Sequence, residues 1–134
     1  MSDIDKTIKI DAPIGRVWAA LTNAEVISDW MNDDTVKIDL RVGGSYTIFS
    51  GETSGTFTVL EKPGFLEYTW RQREWRSNFP DSIVRWELYP SGKGTQVHLT
   101  HARFPNDEER ISHDEGWDMY WLEPMKDWLE SEDM

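Results

Sequence analysis

Three histidines, eight tryptophans and a few isolated charges are the side chains of this 134-residue chain best equipped for chemistry. His101 falls in phase with Val97 and Leu99, so it is expected to face the interior, where it could hydrogen-bond a ligand or act as acid or base. The competing reading is a satisfied core histidine, because a catalytic base needs an orienting group and spacing supplies no carboxylate partner. His98 is three residues away on the same predicted strand and therefore on the opposite face. The two cannot share a metal, and nothing else supplies a ligand cluster, so no metal site and no cofactor are expected. His113 stands where a long helix should start, able to cap backbone amides or pack on Trp117 one turn on; capping is the favoured reading. Asp118 could be a carboxylate facing a cavity, but the favoured reading is a wet side chain near the positive helix N-terminus. The basic run Trp70-Arg71-Gln72-Arg73-Glu74-Trp75-Arg76 is either an anion-recognising or partner-docking rim or, preferably, a solvated hairpin end.

Elements must position these groups. Ile4 to Ile10 alternates apolar and polar, with Lys6 intruding on the apolar face, and predicts a half-buried strand. Pro13 suits the first position of a short helix carrying Val17, Trp18 and Leu21 and ending near Thr22. Thr22 to Glu25 reads as a capping box for a second short helix that carries Val26, Ile27, Trp30 and Met31 and stops at Asn32-Asp33-Asp34. Six further strands are predicted: Val36 to Leu40, Ser45 to Phe49, Gly55 to Glu61, Leu66 to Gln72, Ser82 to Tyr89 and Gly94 to Phe104. The intervening Gly43-Gly44, Gly51, Pro63-Gly64 and Pro90-Ser91-Gly92 suit hairpins, so the economical topology is an antiparallel meander. Ile48, Phe57 with Val59, Leu66 with Tyr68 and Trp70, Val84 with Trp86 and Leu88, and Val97 with Leu99 should share one face.

The last helix has two capping-box starts, Asn106 to Glu109 and Ser112 to Glu115, which predict a short turn and then a helix from about His113 to Ser131. Trp117, Trp121, Leu122, Met125, Trp128 and Leu129 make its apolar arc, with Asp118 an anomaly inside it. Pro124 would cost roughly 3 kcal/mol in an uninterrupted helix, so a kink or a break and restart is expected there.

Composition bounds the rest. One domain spanning residues 1–134 is expected, with no repeat or linker. Hydrophobic residues make up only 38%, but tryptophan buries enough area per residue to build a core. With no cysteine, disulfides, thiolate zinc sites and cysteine nucleophiles are excluded. The N-terminal residues hold no apolar run and no long apolar span occurs elsewhere, so neither a signal peptide nor a membrane span is expected and a cytoplasmic protein is the default. Of the net charge of −11, residues 107–134 carry −9, from 11 acidic and 2 basic side chains. Such a surface repels phosphate and argues against nucleic acid or an anionic membrane as partner.

Ala12-Pro13, Val17-Trp18, Leu21-Thr22, Trp30, Val42-Gly43-Gly44, Thr69-Trp70, Gly94-Thr95, Leu99-Thr100-His101, His113 and Gly116-Trp117 follow one another in a familiar order. In these pieces the chain resembles the single-domain relatives of the activator of heat-shock protein 90 ATPase, within the START-like superfamily with the birch-pollen-allergen fold. The resemblance implies an α+β helix-grip fold: a curved seven-stranded antiparallel sheet around a long C-terminal helix, with two short helices between strands 1 and 2 and a cavity inside. It implies binding of lipids, polyketides or flavonoid-like aromatics, and in some members cyclase or dehydratase chemistry. Fold alone does not choose among these.

The leading expectation is a non-catalytic or weakly catalytic domain, monomeric or weakly dimeric, enclosing an apolar or aromatic small molecule. Trp30, Tyr46, Trp70, Trp86, His101, Trp117 and Trp121 are expected to line a cavity above about 300 Å³. A chaperone-associated module is the second expectation, as the family's name implies, and an enzyme using His101 the third.

Overall fold

Alternation of apolar and polar residues produces strands here because each strand has one face to bury. In the computed structural model, which describes residues 3–132, the chain runs β1 (Ile4–Ile10), α1 (Ile14–Thr22), α2 (Ala24–Met31), β2 (Lys37–Ile38), β3 (Ser45–Ile48), β4 (Thr53–Glu61), β5 (Phe65–Gln72), β6 (Ser82–Ser91) and β7 (Gly94–Ala102). It closes with α3 (Asp107–Gly116), a π-helical segment (Trp117–Leu122) and α4 (Glu123–Glu132). Met1, Ser2, Asp133 and Met134 of the expected domain lie outside the described residues. The seven strands form one antiparallel sheet in the order β1-β7-β6-β5-β4-β3-β2. The C-terminal helix packs on its inner face, and α1 and α2 close one end. This is the α+β helix-grip arrangement.

The inner face is continuous in sequence phase: Leu66, Tyr68 and Trp70 on β5, Val84, Trp86 and Leu88 on β6, and Val97, Leu99 and His101 on β7 are all buried. They meet Trp117, Trp121, Leu122, Met125 and Leu129 from the helix and Val17, Trp18, Leu21, Ile27 and Trp30 from the short helices. At roughly 25 cal/mol per Å² of apolar surface, the indoles provide much of the burial that holds the layers together.

Several local expectations are corrected. Pro13 is the N-cap of α1, not its first helical residue: its backbone is extended (ψ 151) and its carbonyl accepts the N–H groups of Arg16 and Val17. The N-cap of α2 is Asn23, whose side chain accepts from the N–H groups of Glu25 and Val26. Thr22 is the last residue of α1, its hydroxyl donating back to the Trp18 carbonyl at 2.7 Å. Only Lys37–Ile38 of the second strand pairs. A bulge between Phe57 and Val59 turns Val59 off the inner face and brings Leu60 opposite the buried Leu66 instead. Of the two helix starts, Asn106 is the one used, its side chain accepting from the Glu109 N–H at 2.9 Å; Ser112 lies inside the helix.

Pro124 neither breaks nor restarts the helix. The turn before it widens: over Trp117–Leu122 the hydrogen bonds span five residues, ending with the Glu123 N–H on the Asp118 carbonyl. A proline lacks an N–H and its ring crowds the carbonyl four residues back, so a wider preceding turn relieves both conflicts. The extra residue also rotates Asp118 out of the apolar arc. Its carboxylate is about half exposed and pairs with Lys6 at 2.9 Å, while Asp114 pairs with the same ammonium at 3.1 Å. The polar intruder of β1 is thus the anchor of the helix to the sheet edge. Burial works against the Lys6 charge, but hydrogen bonds to Asp118 and Asp114 prevail and hold its pKa above 10.5.

Candidate functional site

Where β4, β5 and the π-helical segment meet, the side chains leave a cavity of about 160 Å³. Five aromatic residues line it: Phe49, Trp70, Trp117, Tyr120 and Trp121. Thr53, Gln72, Ser112 and His113 add polar groups, and Gly116 leaves a gap in the helix wall. Ser112 and Tyr120 are exposed and form its mouth.

The backbone at this place is unusual on both sides. Phe49, Ser50 and Gly51 occupy the left-handed region in succession (φ 53, 56 and 82). The turn is held by Asp33, whose carboxylate accepts from the Phe49 N–H at 2.7 Å and from Thr35, and by Thr35, whose hydroxyl accepts from the Ser50 N–H at 2.7 Å. Burial opposes ionisation of Asp33, yet these donors keep its pKa below 3.8. On the other side the π turn supplies Trp117, Tyr120 and Trp121, and such turns recur at functional sites.

One histidine, His101, sits behind the tryptophans, and a second, His113, stands on the wall beside them. The Ser82 hydroxyl donates its single proton to the Trp70 carbonyl at 2.8 Å, so it accepts from His101 Nε2 at 2.7 Å. His101 Nδ1 then accepts the Trp117 indole N–H at 3.0 Å. Both ring nitrogens are spent in a neutral tautomer, and the residue has no exposed surface. Burial, reinforced by nearby His113, pushes its pKa well below 6.5. His113 Nδ1 meets the Glu109 carbonyl at 2.8 Å and Nε2 accepts the Trp70 indole N–H at 3.0 Å. His113 therefore hydrogen-bonds a helix carbonyl rather than capping amides, and it packs edge-on to Trp70 rather than on Trp117.

The residues expected to line the cavity divide. Trp70, Trp117 and Trp121 are on its wall. Trp30 and Trp86 are core, their indole N–H groups donating to the Ala20 carbonyl (2.8 Å) and the Tyr68 hydroxyl (2.9 Å). His101 lies one layer deeper than the wall. Tyr46 stands apart, its hydroxyl donating to the Thr69 carbonyl at 2.7 Å across Gly55, where a Cβ would come within 1.8 Å of the Thr69 oxygen. Indoles packed at tilted and edge-on angles occupy the space expected for a larger chamber: Trp117–Trp121 centroids are 5.0 Å apart, Trp70–Trp117 4.9 Å and Trp86–Trp117 5.7 Å. Phe49, Thr53, Gln72, Ser112, His113 and Tyr120 were not foreseen as wall; a histidine one helical turn before Trp117 was the available signal.

Arg71, Arg73 and Trp75 of the basic run are tied to their own loop and to neighbouring elements. Arg71 donates to the carbonyls of Phe79 (2.8 Å) and Arg76 and pairs with Asp81 at 3.1 Å, while Arg73 pairs with Glu52. Trp75 is buried and its N–H donates to the Glu109 carboxylate at 2.9 Å, docking the loop on α3. Among the described residues no group of three or more His, Cys, Asp or Glu could hold a metal ion, and no helix is long and apolar enough to cross a membrane.

Residues 11–130 match the family model described as activator of Hsp90 ATPase homolog 1-like protein. An uncharacterized Schizosaccharomyces pombe protein, C1711.08, is 24% identical over 125 residues, which are 93% of this chain; the chain spans 36% of that relative's length. Among solved structures, CalU16 from Micromonospora echinospora is similar at 31% identity with a TM-score of 0.75, covering 88% of this chain and 70% of that one. An HSP90 activator from Plasmodium falciparum, PFC0360w, aligns with a TM-score of 0.79 at 24% identity over 89% of each chain.

Proposed function

The chain belongs to the family of activator of Hsp90 ATPase homolog 1-like proteins, and from that premise we propose that it binds a small molecule with an apolar or aromatic body between the sheet and the C-terminal helix. The observation that carries this is the aromatic-lined cavity of about 160 Å³. A dry cavity of about 150 Å³ suffices for benzene, whereas drug-sized ligands need roughly 300 Å³ or more. The guest is therefore of one-ring size, smaller than a lipid, polyketide or flavonoid. His101 supplies no acid or base to it, since both its nitrogens are engaged behind the wall.

Calorimetric titration with benzyl alcohol tests the reading, with an expected Kd on the order of 0.1–1 mM for so few atoms. Gly116→Leu fills the cavity from the helix side; a Cβ there meets nothing closer than Tyr120 Cδ2 at 3.8 Å, so the fold should stand while binding is lost. Equal heats for the two proteins, or none for either, would overturn the proposal.

A second reading, favoured by the family match over residues 11–130, is a chaperone-associated module. It predicts that the chain raises the ATPase rate of a purified Hsp90-class chaperone. An unchanged rate at saturating chain removes it.

A further inference from the structure

The walls of the cavity also state a charge preference. No Lys or Arg side chain lines it among the described residues, and its lining is dominated by aromatic rings. An aromatic ring carries negative potential on its face and positive potential on its edge, most of all at an indole N–H. Two of those positive edges are turned away from a guest: the Trp70 N–H is given to His113 and the Trp117 N–H to His101. Each acceptor nitrogen belongs to a neutral imidazole, so neither His101 behind the rings nor His113 on the wall adds positive charge.

The surroundings act in the same direction. The helical segment that supplies Ser112, Gly116, Trp117, Tyr120 and Trp121 belongs to the stretch 107–134, which carries a net −9. A cation approaching the mouth is drawn in by this field and an anion is repelled. Once inside, a cation with a thin hydration shell loses little by leaving water, whereas a compact ammonium or metal ion would lose much.

We propose that the guest is a small quaternary or methylated ammonium held by cation–π contact with Trp70, Trp117, Tyr120 and Trp121. This rests on the reading of the cavity as a small-molecule site and adds the chemical class of its occupant. Methyl groups on nitrogen give such an ion the apolar surface the cavity asks for, and the charge gives it the preference for ring faces over aliphatic packing.

The test compares choline with dimethylbutanol, its neutral carbon isostere of nearly the same shape, by calorimetry on the full chain. Choline is expected to bind at least about tenfold more tightly, the range of a desolvated cation–π contact. Tyr120 is 60% exposed, so Tyr120→Leu should leave folding intact; it is expected to weaken choline several-fold and dimethylbutanol clearly less. Sedimentation with phosphatidylcholine vesicles separates the two sources of the group: free choline binding without vesicle binding assigns a solute, and binding to both assigns a lipid headgroup. If dimethylbutanol binds as tightly as choline, or Tyr120→Leu affects both alike, the charge inference is overturned while the cavity reading stands. If choline, dimethylbutanol and benzyl alcohol all fail to bind, both fall together.

Discussion

His101 shows how one residue's hydrogen bonds decide its role. Its ring donates to a hydroxyl whose own proton is committed and accepts from an indole that can only donate. Protonation would set an imidazolium N–H against the Trp117 N–H in a buried place, so the folded ring takes up its proton only well below pH 6.5. The unfolded chain takes it up near 6.5, and between the two values the unfolded state holds more protons. Stability is therefore full above about pH 6.5 and falls as pH drops below it, with His101 contributing up to about 1.4 kcal/mol per pH unit. Urea unfolding at pH 7, 6 and 5 measures this. In His101→Leu the Trp117 N–H loses its acceptor, so the variant should be less stable at pH 7 by about 1–3 kcal/mol and show a shallower decline with acid. The inward phase of His101 was legible in the alternation with Val97 and Leu99. Its partners were not, because Ser82 and Trp117 reach it from another strand and from the helix.

At the scale of elements, the C-terminal helix is the instructive case. Its apolar arc was readable from a 3.6-residue period, and Trp117, Trp121, Met125 and Leu129 are buried as that period requires. Pro124 marked the site of strain, but the response was a wider turn before it rather than a break, because Trp117 and Trp121 on one side and Met125 and Leu129 on the other are all held in the core. Since the π turn already accommodates the missing N–H, Pro124→Ala should change stability by about 1 kcal/mol or less, far under the roughly 3 kcal/mol expected for a proline in an unbroken helix. Thermal unfolding of the pair checks it. Strand phase fails at Val59 for a comparable reason: a bulge adds one residue to β4, and a period of two cannot announce where that residue enters.

For the whole molecule, charge and closure matter together. β1 is a long edge strand, and its inward-facing Lys6 both ties down the helix through Asp114 and Asp118 and interrupts the otherwise apolar inner face of a strand that a second chain could extend. The ion pairs on the acidic segment do not cancel its excess, so net repulsion should dominate its electrostatics. Raising NaCl from about 20 to about 500 mM shortens the Debye length from roughly 20 Å to a few ångström and is expected to stabilise the fold by about 0.5–1 kcal/mol. A falling urea midpoint with salt would mean that the pairs outweigh the repulsion.

The sequence by itself determined the element types and their order, the inward face of most strands, the amphipathic closing helix and the family. The family rests on the resemblance of short motifs in a shared order; the others follow from periods and turn residues that act over a few positions. The tertiary structure decided the size of the cavity and which aromatic rings border it. Whether two indoles meet or leave a gap depends on distances across the sheet–helix interface, set by the bulge, the π turn and the histidine acceptors of the indole N–H groups. Trp30 and Trp86 read in sequence like Trp70 and Trp117; only packing in three dimensions made two of them core and two of them wall.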